Sequence, residues 1–316
     1  MYRLTDPVDL PPSLHGAAVA IGNFDGVHLG HQSVLDIARA QAKSDDKPFG
    51  VLTFEPHPRE FFGALKGQEM PPFRLMNADS RAHRLEKLGV DVLFEIPFNL
   101  DLANLTDTAF SKDILAEQCK LSHVVVGADF CFGQGRSGTI ETLTSHGADF
   151  GFGVSIAPLA ETQDLTISST NIRKALANGN PGLAADMLGH WHRIEGPVLH
   201  GEKRGRELGF PTANMSIDGL HAPKFGVYAV LIDVLTGPHQ GSYHGAASIG
   251  VRPMFGVNTA NCETYIFDFK GDLYGETLSV GLVKYLRGEE KLEGLVALID
   301  QMDQDCDQAR ALLSSL

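Results

Sequence analysis

Four short segments carry the residues best suited to chemistry. In AVAIGNFDGVHLGHQ (Ala18–Gln32) an apolar run leads through a glycine-bearing turn to His28-Leu-Gly-His31 at the mouth of a helix. Backbone N–H groups and the helix dipole favour a phosphate there, and glycine lets the main chain approach it. Two imidazoles three residues apart could flank that phosphate and donate hydrogen bonds as negative charge builds on an attacked phosphoryl group. By spacing alone such a pair more often sits at the surface or opens a helix, and a zinc reading lacks a third ligand at a zinc-like spacing.

In ISSTNIRKAL (Ile167–Leu176), Ser168, Ser169 and Thr170 precede a helix whose first turn is expected to hold Arg173. Serine and threonine caps open a great many helices. A cation in the first turn opposes the dipole unless an anion binds, so a di- or triphosphate explains Arg173 better.

The third segment is GPVLHGEKRGRELGFPTANM (Gly196–Met215), a glycine-rich basic loop followed by Pro211-Thr-Ala-Asn214. If this stretch is extended, Thr212 and Asn214 face one side and offer two neutral oxygens. These suit a magnesium ion that draws its other ligands from nucleotide phosphates and water. Gly201, Gly205 and Gly209 would let the loop fold over those phosphates, although composition alone favours a surface hairpin with a proline turn. In the fourth, CETYIFDF (Cys262–Phe269), alternation places Glu263 on one face with Tyr265, Phe267 and Phe269. A carboxylate among aromatic rings is costly unless paired or used, which makes it a candidate general base; an edge glutamate reaching water is the plainer alternative.

The elements that must position these residues follow two grammars. Apolar runs at Ala17–Ile21, Phe49–Phe54, Val92–Ile96, Val124–Gly127 and Val154–Ile156 alternate with helical periods at Gly30–Lys43, Asp79–Leu88, Thr106–Lys120 and Ser137–Ala148. This order predicts an α/β doubly wound, mostly parallel sheet whose ligands bind beyond the carboxyl ends of the strands. A helix over Thr170–Asn178, the ANGNPG turn and a short helix to Leu188 mark a junction, which divides the chain into domains 1–183 and 184–316. Beyond it, short alternating strands at Arg193–Val198, Gly226–Ile232, Gly245–Ile249, Cys262–Phe269 and Thr277–Val283 predict a small antiparallel barrel or sandwich. An amphipathic helix over Lys291–Leu313 follows, with Leu292, Leu295, Val296, Ile299, Met302 and Ala309 on its apolar face.

Composition bounds the function. The 316 residues suffice for two cores, and 39 acidic against 26 basic residues give a net charge of −13. That excess argues against a protein that coats nucleic acid or anionic lipid, so phosphates must be held locally. The four cysteines, Cys119, Cys131, Cys262 and Cys306, form no CxxC pair, which predicts neither zinc nor a disulfide scaffold and fits a reducing cytoplasm. The opening MYRLTDPVDLPPSLHG lacks the apolar core of a signal peptide, and no membrane span is expected. Small molecules are the expected partners; a homo-oligomer is compatible with the sequence.

Taken together, GNFDGVHLGH, FEPHP (Phe54–Pro58), VGADFCFGQGRSG (Val126–Gly138) and SSTNIR (Ser168–Arg173) resemble the adenylyltransferase half of bacterial bifunctional riboflavin kinase/FAD synthetases. GRELGFPTAN, GVYAV, GVRPMFG, the glutamate strand, DLYGETLSV and LRGEEKLEG are similar, in order and spacing, to the flavokinase half. The resemblance implies a Rossmann-like nucleotidyltransferase domain followed by a six-stranded antiparallel barrel with a C-terminal helix. It implies an ATP site built on His28, His31 and Arg173, with Gly22, Asn23, Phe24, Asp129, Ser169 and Thr170 as further nucleotide contacts. Of these, Asn23, Asp129 and Ser169 would contact nucleotide or magnesium. His57 and Arg136 would lie near the flavin phosphate. There FMN would attack the α-phosphorus of ATP and release pyrophosphate, chemistry that needs positioning and charge neutralisation rather than a protein nucleophile. In the kinase half Thr212 and Asn214 would hold magnesium and ATP phosphates, alongside Gly201 and Gly205. Glu263 would take the proton of the riboflavin 5′-hydroxyl. This sequence departs from the family at Met254, where threonine is usual, at Trp191-His192 in place of Pro-Tyr, and at Cys131 in place of arginine.

Overall fold

The computed structural model describes residues 1–6, 10–158, 161–162, 165–200, 209–251, 260–290 and 293–316. Gly201, Gly205 and Met254, together with the start of the expected C-terminal helix at Lys291 and Leu292, lie outside them. The chain divides into two compact units, Met1–Met70 with Arg81–Ile167, and Pro71–Ser80 with Ser168–Leu316.

The first unit is built on six strands, β1 (Tyr2–Leu4), β2 (Ala18–Ile21), β3 (Phe49–Glu55), β4 (Val92–Pro97), β5 (His123–Gly127) and β6 (Gly153–Ala157). Every pairing between neighbours is parallel, in the order β1-β4-β3-β2-β5-β6. All four residues of β2 are buried. A parallel sheet is covered on both faces, so its central strands read as continuous apolar runs, which is why AVAI shows no alternation. Helices α1 (Leu29–Asp45), α2 (Pro58–Leu65), α3 (Ala78–Lys87), α4 (Leu100–Ala103), α5 (Asp107–Ala109) and α6 (Ile140–Phe150) fill the connections. The expected helix from Thr106 is present in altered form: α5 runs into π-helical turns over Phe110–Gln118, closed by Cys119 N donating to Ile114 O at 2.9 Å. A two-strand hairpin, β7 (Glu161–Thr162) and β8 (Leu165–Thr166), ends the unit.

The strand order matters most for ligand binding. From β2 the chain proceeds through β3 to β4 on one side and then returns to place β5 on the other. The crevice between the carboxyl ends of β2 and β5 is therefore the topological switch point of the sheet, where open α/β folds take their ligands.

In the second unit α7 (Ser169–Ala177) and α8 (Pro181–Leu188) pack on each other and lead into six antiparallel strands. These are β9 (Arg193–Pro197), β10 (Thr212–Ser216), β11 (Gly226–Val234), β12 (Gly241–Val251), β13 (Ala260–Ile266) and β14 (Thr277–Arg287). Their order is β10-β13-β12-β11-β14-β9, and Leu199 N, just past β9, donates to Asn214 O of β10 at 2.8 Å, so the sheet comes near to closing into a barrel. Ile194, Met215, Tyr228, Val230, Ile249, Cys262, Leu278 and Val280 fill the interior.

The last helix, α9 (Leu295–Leu313), lies on the outside of the barrel, where Ala309 and Leu313 pack against Ala229, Ala246, Phe267 and Val283. Arg287 grips Asp305 through Nε at 2.9 Å and Nη2 at 2.8 Å, and Arg310 pairs with Asp268 at 2.7 and 2.9 Å. Only the second half of the expected apolar face is used, because Leu295 and Val296 are exposed. The alternation expected along CETYIFDF also stops short. Asp268 adopts a left-handed φ of 57°, and beyond it Phe269 packs with the barrel-interior cluster rather than beside Tyr265 and Phe267.

Candidate active sites

In the first unit the turn after β2 is built to deliver two histidines to the switch point. Phe24 (φ 50°), Gly26 (φ 90°) and Val27 (φ 42°) reverse the chain in the left-handed region, and Phe24, Asp25, Val27 and His28 are all buried. Gly22 is held by N–H donation to Leu52 O at 3.1 Å, and a Cβ there would stand 3.3 Å from the Phe24 ring. Asn23 is exposed, while its carbonyl accepts from the buried Thr53 hydroxyl at 3.3 Å.

His28 caps α1, its Nδ1 accepting from His31 N at 3.2 Å. Since that ring nitrogen is an acceptor, the neutral ring carries its proton on Nε2 as a donor. The two imidazoles stack with centroids 3.6 Å apart and planes 13° from parallel, and the Phe24 ring stands 5.2 Å from that of His31. His31 is partly exposed as a residue, yet its Nδ1 is sealed and has no hydrogen-bond partner among the described residues. Burial, and then the neighbouring His28, push its pKa well below the ordinary histidine value, so His31 is neutral at physiological pH.

The other first-unit residues are placed as follows. Asp129 is exposed two residues beyond β5, at the same end of the sheet as the turn after β2. Arg136 is exposed with a left-handed φ of 61°. His57 caps α2: its Nδ1 accepts from Arg59 N at 3.0 Å while Glu60 receives the His57 N–H at 3.2 Å, a reciprocal capping box.

In the second unit Ser168 caps α7 by accepting from Asn171 N at 3.2 Å, with Ser169 partly covered and Thr170 exposed at the helix start. Arg173 is the fifth helical residue and so begins the second turn, one turn further along than expected. Its Nε donates to Phe73 O at 2.7 Å, its guanidinium lies 5.5 Å from the Phe73 ring centroid, and its carbonyl meets His221 Nε2 at 3.0 Å. The dipole argument for a phosphate therefore weakens, since the guanidinium already has a protein acceptor outside the first turn.

The barrel site rests on strand register. PTAN is extended as expected, with Ala213 and Met215 pointing into the core and Thr212 and Asn214 on the opposite face. Asn214 lies directly across from Glu263, and Thr212 across from Tyr265. Directly opposed antiparallel residues project to the same side. The asparagine, threonine and glutamate thus share one surface although 49 positions separate Asn214 from Glu263 in the chain. This oxygen-only donor set of two neutral groups beside one carboxylate suits magnesium that arrives with nucleotide phosphates. Among the described residues no cluster of three His, Cys, Asp or Glu could hold a metal by itself.

Sequence reasoning missed the groups that brace these sites. Arg81, 1% exposed, bridges Glu95 Oε1 at 2.5 Å and Glu55 Oε2 at 2.9 Å, and Arg3 takes the second oxygen of Glu95 at 2.8 Å. The network ties β1 and α3 to the end of β3, two residues before His57. Its one visible signal was a glutamate inside the apolar VLFEIP strand. On β13, Asn261 donates Nδ2 to Glu263 Oε1 at 3.2 Å.

Comparison with known proteins accounts for both units. The FAD synthetase family model matches residues 10–171 and the riboflavin kinase model residues 188–313. A bifunctional riboflavin kinase/FMN adenylyltransferase of Pseudomonas fluorescens is 40% identical over 305 residues, covering 96% of this chain and 95% of that protein. One from Escherichia coli (strain K12) is 36% identical over 290 residues, covering 92% and 90%. A solved structure named as a macrolide-efflux protein from Streptococcus pneumoniae superimposes with a TM-score of 0.79 at 31% identity over 98% of each chain. Among the described residues of this chain no helix is long and apolar enough to cross a membrane.

Proposed function

The chain belongs to the bifunctional riboflavin kinase/FMN adenylyltransferase family, and from that premise we propose which of its residues carry each reaction. It phosphorylates riboflavin to FMN with ATP, and adenylylates FMN to FAD with release of pyrophosphate. The functional division lies between domains 1–183 and 184–316. The observation that supports two separate chemistries is that each compact unit has its own polar constellation: stacked imidazoles at the sheet's switch point, and the Asn214–Glu263 pair on the barrel.

For adenylyl transfer, an FMN phosphate oxygen attacks the α-phosphorus of ATP and the bond to pyrophosphate breaks. His28 donates from Nε2 to the phosphoryl oxygens, and neutral His31 backs it without adding a competing charge. Donors fixed before the reaction cost no reorganisation when charge develops. The turn residues Gly22, Asn23 and Phe24 shape this phosphate cradle, with Asp129 opposite them across the switch point. Ser169, Thr170 and Arg173 are assigned to nucleotide binding through their sequence motif. His57 and Arg136 take the flavin phosphate, His57 with Nδ1 already committed to its helix cap.

For phosphorylation, Glu263 accepts the proton of the riboflavin 5′-hydroxyl as that oxygen attacks the γ-phosphorus and ADP leaves. Thr212 and Asn214 would hold magnesium together with the ATP phosphates, and bound magnesium would supply neutralisation of phosphate charge. Gly201 and Gly205 belong to the same proposal through their sequence motif. We further propose a cytoplasmic location and no nucleic-acid partner, since a net charge of −13 offers polyanions no general attraction.

Incubating the full chain with riboflavin, ATP and magnesium tests the whole reading. Chromatography should show FMN first and FAD after it; a time course lacking either product overturns it.

A further inference from the structure

Asn261 and Glu263 lie two residues apart on β13, so their side chains leave the strand on the same side. Register places Ser216 opposite Asn261 and Asn214 opposite Glu263 on β10, with Gly250 and Ser248 opposite them on β12. A Cβ on Gly250 would run into the carboxylate of Glu289, so a second acid closes the far end of this polar row. A carboxylate at position 261 would face two others; the neutral amide there can serve as both donor and acceptor.

Two facts about Asn261 point to a task beyond packing. Its Nδ2 is spent on Glu263 Oε1 at 3.2 Å, which fixes the direction of that carboxylate. Its Oδ1 is buried with no hydrogen-bond partner among the described residues, in a residue only 1% exposed. A buried carbonyl oxygen left without a donor is costly, and buried polar groups are nearly always paired. No described residue donates to it, and a donor is expected with the substrate. Riboflavin brings one of the right kind, because the carbon next to its reacting 5′-hydroxyl carries another hydroxyl, and Asn261 is the immediate neighbour of the base.

We propose that Asn261 is a positioning residue of the kinase reaction, orienting Glu263 through Nδ2 and accepting a hydrogen bond through Oδ1 from a ribityl hydroxyl of bound riboflavin. The proposal rests on Glu263 being the general base.

The test measures FMN formation by the full chain in Asn261→Ala, Asn261→Leu, Glu263→Gln and the double variant Asn261→Leu/Glu263→Gln. Loss of a hydrogen bond to a charged group should lower kcat by about 10- to 100-fold in both Asn261 variants. KM for riboflavin should rise by roughly 10-fold while that for MgATP holds, as expected when one neutral hydrogen bond to one substrate is lost. The double variant should be within about 2-fold of Glu263→Gln in kcat, because residues acting through one another are not additive. Alanine deletes the amide without adding volume, so agreement between the two variants separates the effect from misfolding. Unchanged kcat in both Asn261 variants, fully additive losses in the double variant, or a rise in the MgATP KM alone would overturn the inference. If Glu263→Gln itself retains wild-type kcat, the base assignment fails first, and that outcome is distinct from a defective Glu263→Gln beside normal Asn261 variants.

Discussion

The rings of His28 and His31 lie face to face at 3.6 Å, close enough that a proton on one opposes a proton on the other. With His31 held neutral by burial and by its neighbour, the donor to a developing phosphoryl charge is His28. Removing one such donor typically costs 10²–10³ in rate, so His28→Ala is expected to slow FAD formation from supplied FMN and ATP by roughly that factor. FMN formation from riboflavin by the same variant should stay at wild-type rate, as chromatography of both reactions would show.

Glu263→Gln should give the reverse pattern. Glutamine keeps the shape of the side chain but cannot accept the hydroxyl proton, and general-base catalysis is worth roughly 10²–10⁴. FMN production should fall by about that factor. FAD production from supplied FMN should not change, and a parallel loss of both activities would locate Glu263 in folding rather than in proton transfer.

Much of this architecture is legible along the chain. The expected strand Phe49–Phe54 is observed as Phe49–Glu55, because a strand buried on both faces leaves an unbroken apolar run. Strand β1 escaped notice because it has three residues at a sheet edge, none of them buried. Helix α2 escaped because its cap is a histidine, an uncommon N-cap type. At the sites, His28 and His31 could be found because strand, turn and helix follow one another locally. The Arg81–Glu95 pair and the register that sets Asn214 against Glu263 could not be read in the same way. They arise only when distant segments meet. Phe269 was misplaced for a local reason, a left-handed aspartate that ends the alternation.

The buried ion network makes a stability prediction for the first unit. Arg81→Met leaves Glu95, 3% exposed, paired with Arg3, and removes the Arg81 contact of Glu55. Breaking a buried pair by removing one partner costs about 3–5 kcal/mol, so denaturant unfolding of the variant should show a loss of that size. Adding Glu95→Gln should restore part of it by discharging the stranded carboxylate. If the double variant is the less stable of the two, Glu95 is held by other groups and the network is not a closed unit.

His192 supplies a pH test of the second unit. It stands just before β9 at 4% exposure, and burial pushes its pKa down to about 3, with the charges of His190 and His221 acting in the same direction. In the unfolded chain a histidine titrates near 6.5. Above that pH both states are neutral at this ring and it contributes no pH dependence. Between about 6.5 and 3 the unfolded chain takes up a proton that the folded chain refuses, so stability falls as pH falls. The slope is about 1.4 kcal/mol per pH unit, which amounts to about 2 kcal/mol between pH 6.5 and 5. His192→Phe removes the proton site while keeping a ring of similar size. Denaturant unfolding at pH 7 and pH 5 should therefore show the variant losing about 2 kcal/mol less than wild type on acidification. His31 and His221, also shifted down by burial, keep their share of the acid sensitivity in both proteins, so the difference isolates one imidazole. Equal losses in the two proteins would mean that His192 takes up its proton without unfolding.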